Sequence, residues 1–181
     1  MGSFNIKPDN FTLATVSKVN GEIKDLVAGK LVHFKSIKTG FVLDIVVSNS
    51  LISMYGKRGV FEEMKNVFDE MCERNVGSWN ALISGYSNSG DWRLVKDLWE
   101  VVKNMQLDGM KLNGFTISSL LSLSGSDAVK FRWNVFDRMI LRNVYAWTSM
   151  INGYIENGDF DEALILFQKM QLNDGIEPNK E

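Results

Sequence analysis

The chain has 181 residues, 45% of them hydrophobic, a formal net charge of −2 at pH 7 and one cysteine, Cys72. That content is enough to bury a core, while a lone cysteine excludes an internal disulfide and a CxxC metal pair. The acidic balance lacks the basic face that usually neutralises phosphate, and the longest apolar run, Val42 to Val47, is broken by Asp44, well short of the ~18 residues of a membrane span.

Met1 to Asp9 hold neither an Arg-rich, acid-poor leader nor an apolar signal segment, so no targeting peptide is visible there. Ile6-Lys7-Pro8-Asp9 has the form of Ile176-Glu177-Pro178-Asn179, and the two prolines lie 170 residues apart, five periods of about 34. Residues 1–9 are therefore read as the tail of a repeat. In 10–44, Leu13, Val16, Leu26, Val27, Leu31, Val32 and Ile37 are expected to supply the buried faces of two helices, the second ended by Gly40. In 45–75, Leu51, Ile52 and Tyr55 serve a first helix and Met64, Val67, Phe68 and Met71 a second, with Gly59 at the break.

The segment 76–113 places Trp79, Leu82, Ile83 and Tyr86 on one helical face and ends in a longer tail. The next, 114–143, is compressed: Phe115, Ile117, Leu120 and Leu121, a break at Gly125, then Ala128, Phe131, Val135, Phe136 and Met139. In 144–179, Trp147, Met150, Ile151 and Tyr154 line one helix and Ala163, Leu164, Phe167 and Met170 another. Gly158 suits the left-handed residue ending the first, Asp159 and Glu162 have the spacing of a capping box, and Pro178 stops the second. Residues 180–181 open a further repeat.

Eleven residues, among them Phe68, Asp69, Met71, Arg74, Asn75, Trp79, Gly85 and Tyr86, recur 68 positions later. Asn49, Leu51, Ile52, Tyr55 and Gly59 recur 31 positions later. Such periods mark a solenoid, in which each hairpin buries its apolar face against its neighbour.

The pieces Ser78-Trp79-Asn80-Ala81-Leu82-Ile83-Ser84-Gly85-Tyr86, Trp147 to Tyr154, Val67-Phe68-Asp69-Glu70-Met71 and Gly29-Lys30-Leu31-Val32-His33 resemble the pentatricopeptide repeat family. Within it they resemble the plant subclass in which long, standard and short repeats alternate. The tetratricopeptide repeat shares the hairpin and the Trp-Leu-Tyr pattern, but wants glycine where Ile83 and Ile151 stand. The resemblance implies an all-α, right-handed alpha-solenoid of about five repeats: 10–44 long, 45–75 short, 76–113 standard and lengthened, 114–143 compressed, 144–179 standard.

It further implies binding of single-stranded RNA, roughly one base per repeat, in a mitochondrion or chloroplast, with protein editing or processing factors as partners. Bases are selected in the family by the fifth and last residues of each repeat. Carried over, these are Asn49 with Asn75, Asn80 with Asn113, Ser118 with Asn143, and Thr148 with Asn179. Ala14 with Asp44 offers no reading. Amides match a pyrimidine edge and hydroxyls a purine acceptor, so the implied RNA is N-C-C-A-A from the 5′ end, with uracil a weaker fit for the second and third repeats. The second residue of each repeat sandwiches the base: Phe11, Val46, Phe115 and Tyr145 suit this, whereas Gly77 does not.

Chemistry is not expected. No nucleophilic constellation exists, and the H-x-E and C-x-x-C of a zinc deaminase are absent; no cofactor, metal or membrane partner is implied. His33, Trp79, Trp99, Trp147 and Tyr86 are read as packing residues, and Asp159, Asp161 and Glu162 as helix-opening charges. Two other readings stand beside RNA recognition: a protein-binding helical scaffold, and a truncated family member with little activity. Without polar capping repeats, apolar surface at both ends and self-association are expected.

Overall fold

Side-chain oxygens set where the helices begin. In the computed structural model, which describes residues 7–23, 25–89, 94–121, 133, 136–137, 144–156 and 158–173, five Asn or Asp residues, Asp25 with Ala28 N at 2.9 Å among them, stand just before a helix and accept from its first amides. Thr12 N donates to Asp9 at 2.8 Å, Val46 N to Asp44 at 2.9 Å, Ser78 N to Asn75 at 3.0 Å and Thr116 N to Asn113 at 2.9 Å. The first amides of a helix have no partner inside it, and such a cap contributes about 1 kcal/mol. Left-handed glycines close other helices, Gly40 at φ 78° and Gly158 at φ 82°, a conformation that costs a residue with a Cβ.

The helices in chain order are α1 (Asn10–Ile23), α2 (Leu26–Thr39), α3 (Ile45–Lys57), α4 (Phe61–Asp69), α5 (Val76–Ser87), α6 (Val95–Leu107), α7 (Gly114–Leu121), α8 (Val144–Glu156) and α9 (Phe160–Asn173), with a 3-10 turn at Phe41–Leu43. No strand occurs among the described residues. The chain divides into two compact units, Met1–Gly85 and Tyr86–Glu181.

In the first unit α3 is the hub, packing on both α1 and α4. Val47, Leu51, Ile52, Met54 and Tyr55 are all buried, a spacing that covers more than one helical face and so serves both neighbours. Phe68 of α4 meets Trp79 of α5 edge to face at 4.6 Å between centroids. The Arg74 guanidinium lies 4.7 Å over the Phe68 ring and donates to the Phe68 and Asp69 carbonyls, closing the end of α4. In the second unit α8 packs on α7 and α9. Its core joins Ile117, Phe136, Trp147, Met150, Leu166 and Met170, and Phe136 meets Trp147 edge to face at 4.7 Å. Trp133 Nε1 donates to the Tyr154 hydroxyl. The two Phe–Trp pairs are 68 residues apart, so the sequence offset has the same ring geometry behind it, worth about 0.5–1.5 kcal/mol per pair beyond the area buried.

Periodicity misassigned several apolar residues. Val16, Val27, Leu31 and Ile37 are exposed, and the buried positions of α1 and α2 are Leu13, Ala14, Ser17, Asn20, Gly21, Gly29 and Ser36. The reason is close approach: a Cβ on Gly29 would lie 2.6 Å from Met54 Sδ, so the inward face of α2 has room only for small residues. Leu164 and Phe167 are likewise exposed, while Leu166 is buried with Ala163 and Met170. The outward residues line an apolar groove of about 290 Å³ with Ile151, Ile155 and Phe160.

Candidate nucleic-acid interface

The residues singled out for base contact fall at the starts of the first helices of the hairpins. Phe11, Val46 and Phe115 are each the second residue of a helix, α1, α3 and α7, and each is an exposed apolar side chain. Ser118 and Thr148, the fifth residues of α7 and α8, are exposed, and Asn49 and Asn80, the fifth residues of α3 and α5, are half-buried. Ala14 is buried, so the first hairpin offers nothing polar at this place. The side chain of Tyr145, and Asn143 and Asn179 altogether, lie outside the described residues.

Both members are described for two pairs, Asn49 with Asn75 and Asn80 with Asn113, and only the first of these lies within one compact unit. A Cβ placed on Gly77 would lie 2.9 Å from Asn75 Oδ1 and 3.5 Å from Asn49 Nδ2, so both amides converge on the backbone where a wedge residue would otherwise stand. The glycine keeps that space open. Asn49 Oδ1 is buried and has no hydrogen-bond partner, an arrangement that costs roughly 1–3 kcal/mol unless a ligand or water supplies a donor.

Asn75 shows a second role that sequence reasoning missed. Its Oδ1 accepts from Ser78 N at 3.0 Å and Ser78 Oγ at 3.3 Å, while Asn75 N donates back to Ser78 Oγ at 3.3 Å. Asn113 makes the same reciprocal set with Thr116. In both, the oxygen is committed to the helix and the amide NH₂ is the group left to face a ligand. The signal was present as Asn-x-x-Ser and Asn-x-x-Thr, a variant of the capping box. Asp44 is more fully engaged: Oδ1 accepts from Val46 N and Val47 N, and Oδ2 from Asn10 Nδ2 at 2.8 Å. Burial would raise its pKa, but these bonds prevail and hold the carboxyl below its ordinary range.

Charge contributes little here. The five first helices carry Lys18 and Lys57 against Glu22 and Glu156, two cations and two anions, and Lys57 is paired with Glu22. These first helices therefore offer little charge for phosphate neutralisation, and what they present to a nucleic acid is contacts to bases.

His33, the sole histidine, belongs to the packing and not to the interface. Its Nδ1 is 3.0 Å from the Tyr55 hydroxyl, and its Nε2 is buried without a partner. Burial lowers its pKa, opposed by Glu70 and Glu63, and pushes the Tyr55 hydroxyl up to about 12. As pH falls through the ordinary histidine range, near 6.5, the unfolded chain takes up a proton that the folded chain resists. The stabilising contribution is thus present above that range and lost as pH falls through the folded pKa. Thermal midpoints at pH 7.5 and 5.5 should therefore fall further for the parent than for His33→Gln; equal falls would assign the loss to other groups.

Comparison with known proteins agrees with this architecture. A PPR repeat model matches residues 46–76 and 77–107, and a PPR repeat family model matches 142–181. Pentatricopeptide repeat-containing protein At5g39350 of Arabidopsis thaliana is 34% identical over 208 residues, covering 95% of this chain and 30% of the relative. The chloroplastic At1g11290 of the same plant is 31% identical over 210 residues, covering 96% of this chain and 26% of the relative. The chain thus spans less than a third of the length of these curated relatives. Among solved structures, PPR10 in complex with an 18-nt psaJ RNA element aligns over 97% of this chain and 31% of that one, with a TM-score of 0.56 at 21% identity. That likeness gives the fold, an alpha-solenoid of helical hairpins. With recurring Phe–Trp packing, family models over more than half its length and relatives matching along nearly all of it, the chain belongs to the pentatricopeptide repeat family.

Proposed function

We propose that the chain is a non-catalytic module that recognises single-stranded RNA with base selectivity and serves organellar RNA processing or editing as a recognition factor. The observation that carries this reading is the Asn49–Asn75 pair, with its unpartnered acceptor and its outward amide NH₂ at one point of the surface. Cytosine offers the matching set, an exocyclic amine donor beside a ring acceptor, whereas uracil has an acceptor in place of the amine. The exposed Phe11, Val46 and Phe115 then hold bases by apolar contact. The RNA of PPR10 and the chloroplastic or mitochondrial names of relatives agree with this assignment.

The repeats are taken as 10–44, 45–75, 76–113, 114–143 and 144–179, in the long, short and standard pattern of the plant subclass, with the hairpins reading N-C-C-A-A. Titration of the purified chain with an oligonucleotide carrying that stretch, and with one carrying N-G-G-U-U, should show about tenfold tighter binding of the first, as expected for one good base-edge contact. Equal affinities would reject the base assignment. The uncovered apolar groove beside α9 favours a second, compatible property, association of copies or binding of protein factors through the ends. A concentration-independent monomer by light scattering on the same samples would reject self-association.

A further inference from the structure

Helix α2 carries its large apolar side chains on the side that faces solvent. Val27, Leu31 and Phe34 are 73%, 64% and 56% exposed, and their spacing sets them along one line of the helix. The opposite side is buried and contains Gly29 and Ser36. A helix with one side buried and a row of large apolar residues on the other is normally covered on both sides.

Stacking of hairpins does not supply that cover. Thirty-five residues on, the same places in α4 are held by Glu62, Asn66 and Asp69, all exposed, although α4 packs on α3 and, through Phe68, on Trp79 of α5. The flanks change with the face: Lys35 and Lys38 of α2 correspond to Glu70 and Glu73. A surface that is acidic and polar beside α4 is apolar and basic on α2.

We propose that this face of α2 is a docking seam for an acidic amphipathic helix of a partner protein. Val27, Leu31 and Phe34 have the d-a-d spacing of a heptad, Lys38 takes the next a position, and Lys30 and Lys35 fall at the flanking g and e positions, where charge selects the partner. Lys30 is paired with Glu63 at 3.3 Å; Lys35 and Lys38 have no ion pair among the described residues, and the Lys38 ammonium lies 5.1 Å over the Phe34 ring. A second copy of the same face would set lysine against lysine, so the complementary surface is a helix with apolar a and d residues and carboxylates beside them.

The test is titration of the full chain with a labelled three-heptad peptide bearing Leu at a and d and Glu at e and g. A matched peptide with Lys at e and g and vesicles of anionic lipid serve as comparisons. The Glu peptide should bind saturably and at least about tenfold tighter than the Lys peptide. Binding should drop by a similar factor in the triple variant Val27→Glu, Leu31→Asn, Phe34→Asp, which carries the residues of α4. That variant should keep the parent's circular dichroism, thermal midpoint and RNA affinity, so the outcome is independent of the RNA reading. No saturable binding of the Glu peptide, equal binding by parent and variant, or capture by vesicles in place of the peptide would overturn the proposal.

Discussion

Replacing Gly56 by alanine should destabilise the first unit far more than replacing Gly29, though the two substitutions are chemically the same. A Cβ on Gly56 would lie 2.6 Å from Gly85 Cα, backbone of α5, and 3.1 Å from Met64 Sδ. Backbone cannot rotate away, so the two helices must part. Parting them loosens the contacts of the buried Met64 and Phe68 with the helix that carries Gly85 and Trp79. On Gly29 the Cβ would meet Met54 Sδ at 2.6 Å and Met54 Cε at 3.0 Å, the far end of a side chain with three rotatable bonds. Each glycine lies inside a helix but near one end, Gly29 as the fourth residue of α2 and Gly56 as the next-to-last of α3, so alanine gains at most about 1 kcal/mol of helix propensity in either variant, and the gain largely cancels in the comparison. Overpacking of this kind costs about 1–3 kcal/mol, which should separate the two thermal midpoints by several degrees, at about 2–4 °C per kcal/mol for a chain of this size. Equal midpoints would mean that the crossing yields as easily as a methionine turns.

That crossing also marks what sequence alone discloses. Repeats, hairpins, breaks at Gly40 and Gly158, and the burial of Trp79, Trp147 and Tyr86 follow from spacing, because each rests on local geometry or on a periodicity visible in one dimension. The inward face of α2 does not. Which of its sides is buried depends on how closely Met54 approaches Gly29, a tertiary distance, and the larger apolar residues Val27 and Leu31 pointed to the wrong side. The candidate site shows the same division. The positions of Asn49 and Asn75 were legible by resemblance, but the capping bonds that leave Asn75 only its NH₂ required coordinates, as did the reason for glycine at 77.

The double role of Asn75 permits folding and base selection to be separated, and Asn75→Asp should change the second while sparing the first. Aspartate caps a helix about as well as asparagine, and its charge at a helix N-terminus is favourable, so the bonds to Ser78 N and Ser78 Oγ are retained and the thermal midpoint should hold. The outward group, however, changes from an N–H donor to a carboxylate acceptor. A donor suits the ring position that accepts in cytosine; an acceptor suits uracil, which carries a proton there. Oligonucleotides differing only at the base facing the 45–75 hairpin should therefore reverse in order, cytosine preferred by the parent and uracil by the variant. The swing should be about tenfold, the lower part of the range of about 1–3 kcal/mol for a paired base contact. Asn75→Ala, by contrast, should lose the cap, about 1 kcal/mol, along with the preference. If Asn75→Asp folds as the parent does and still prefers cytosine, Asn75 is a cap and nothing more, and the selection must be sought at Asn49 alone.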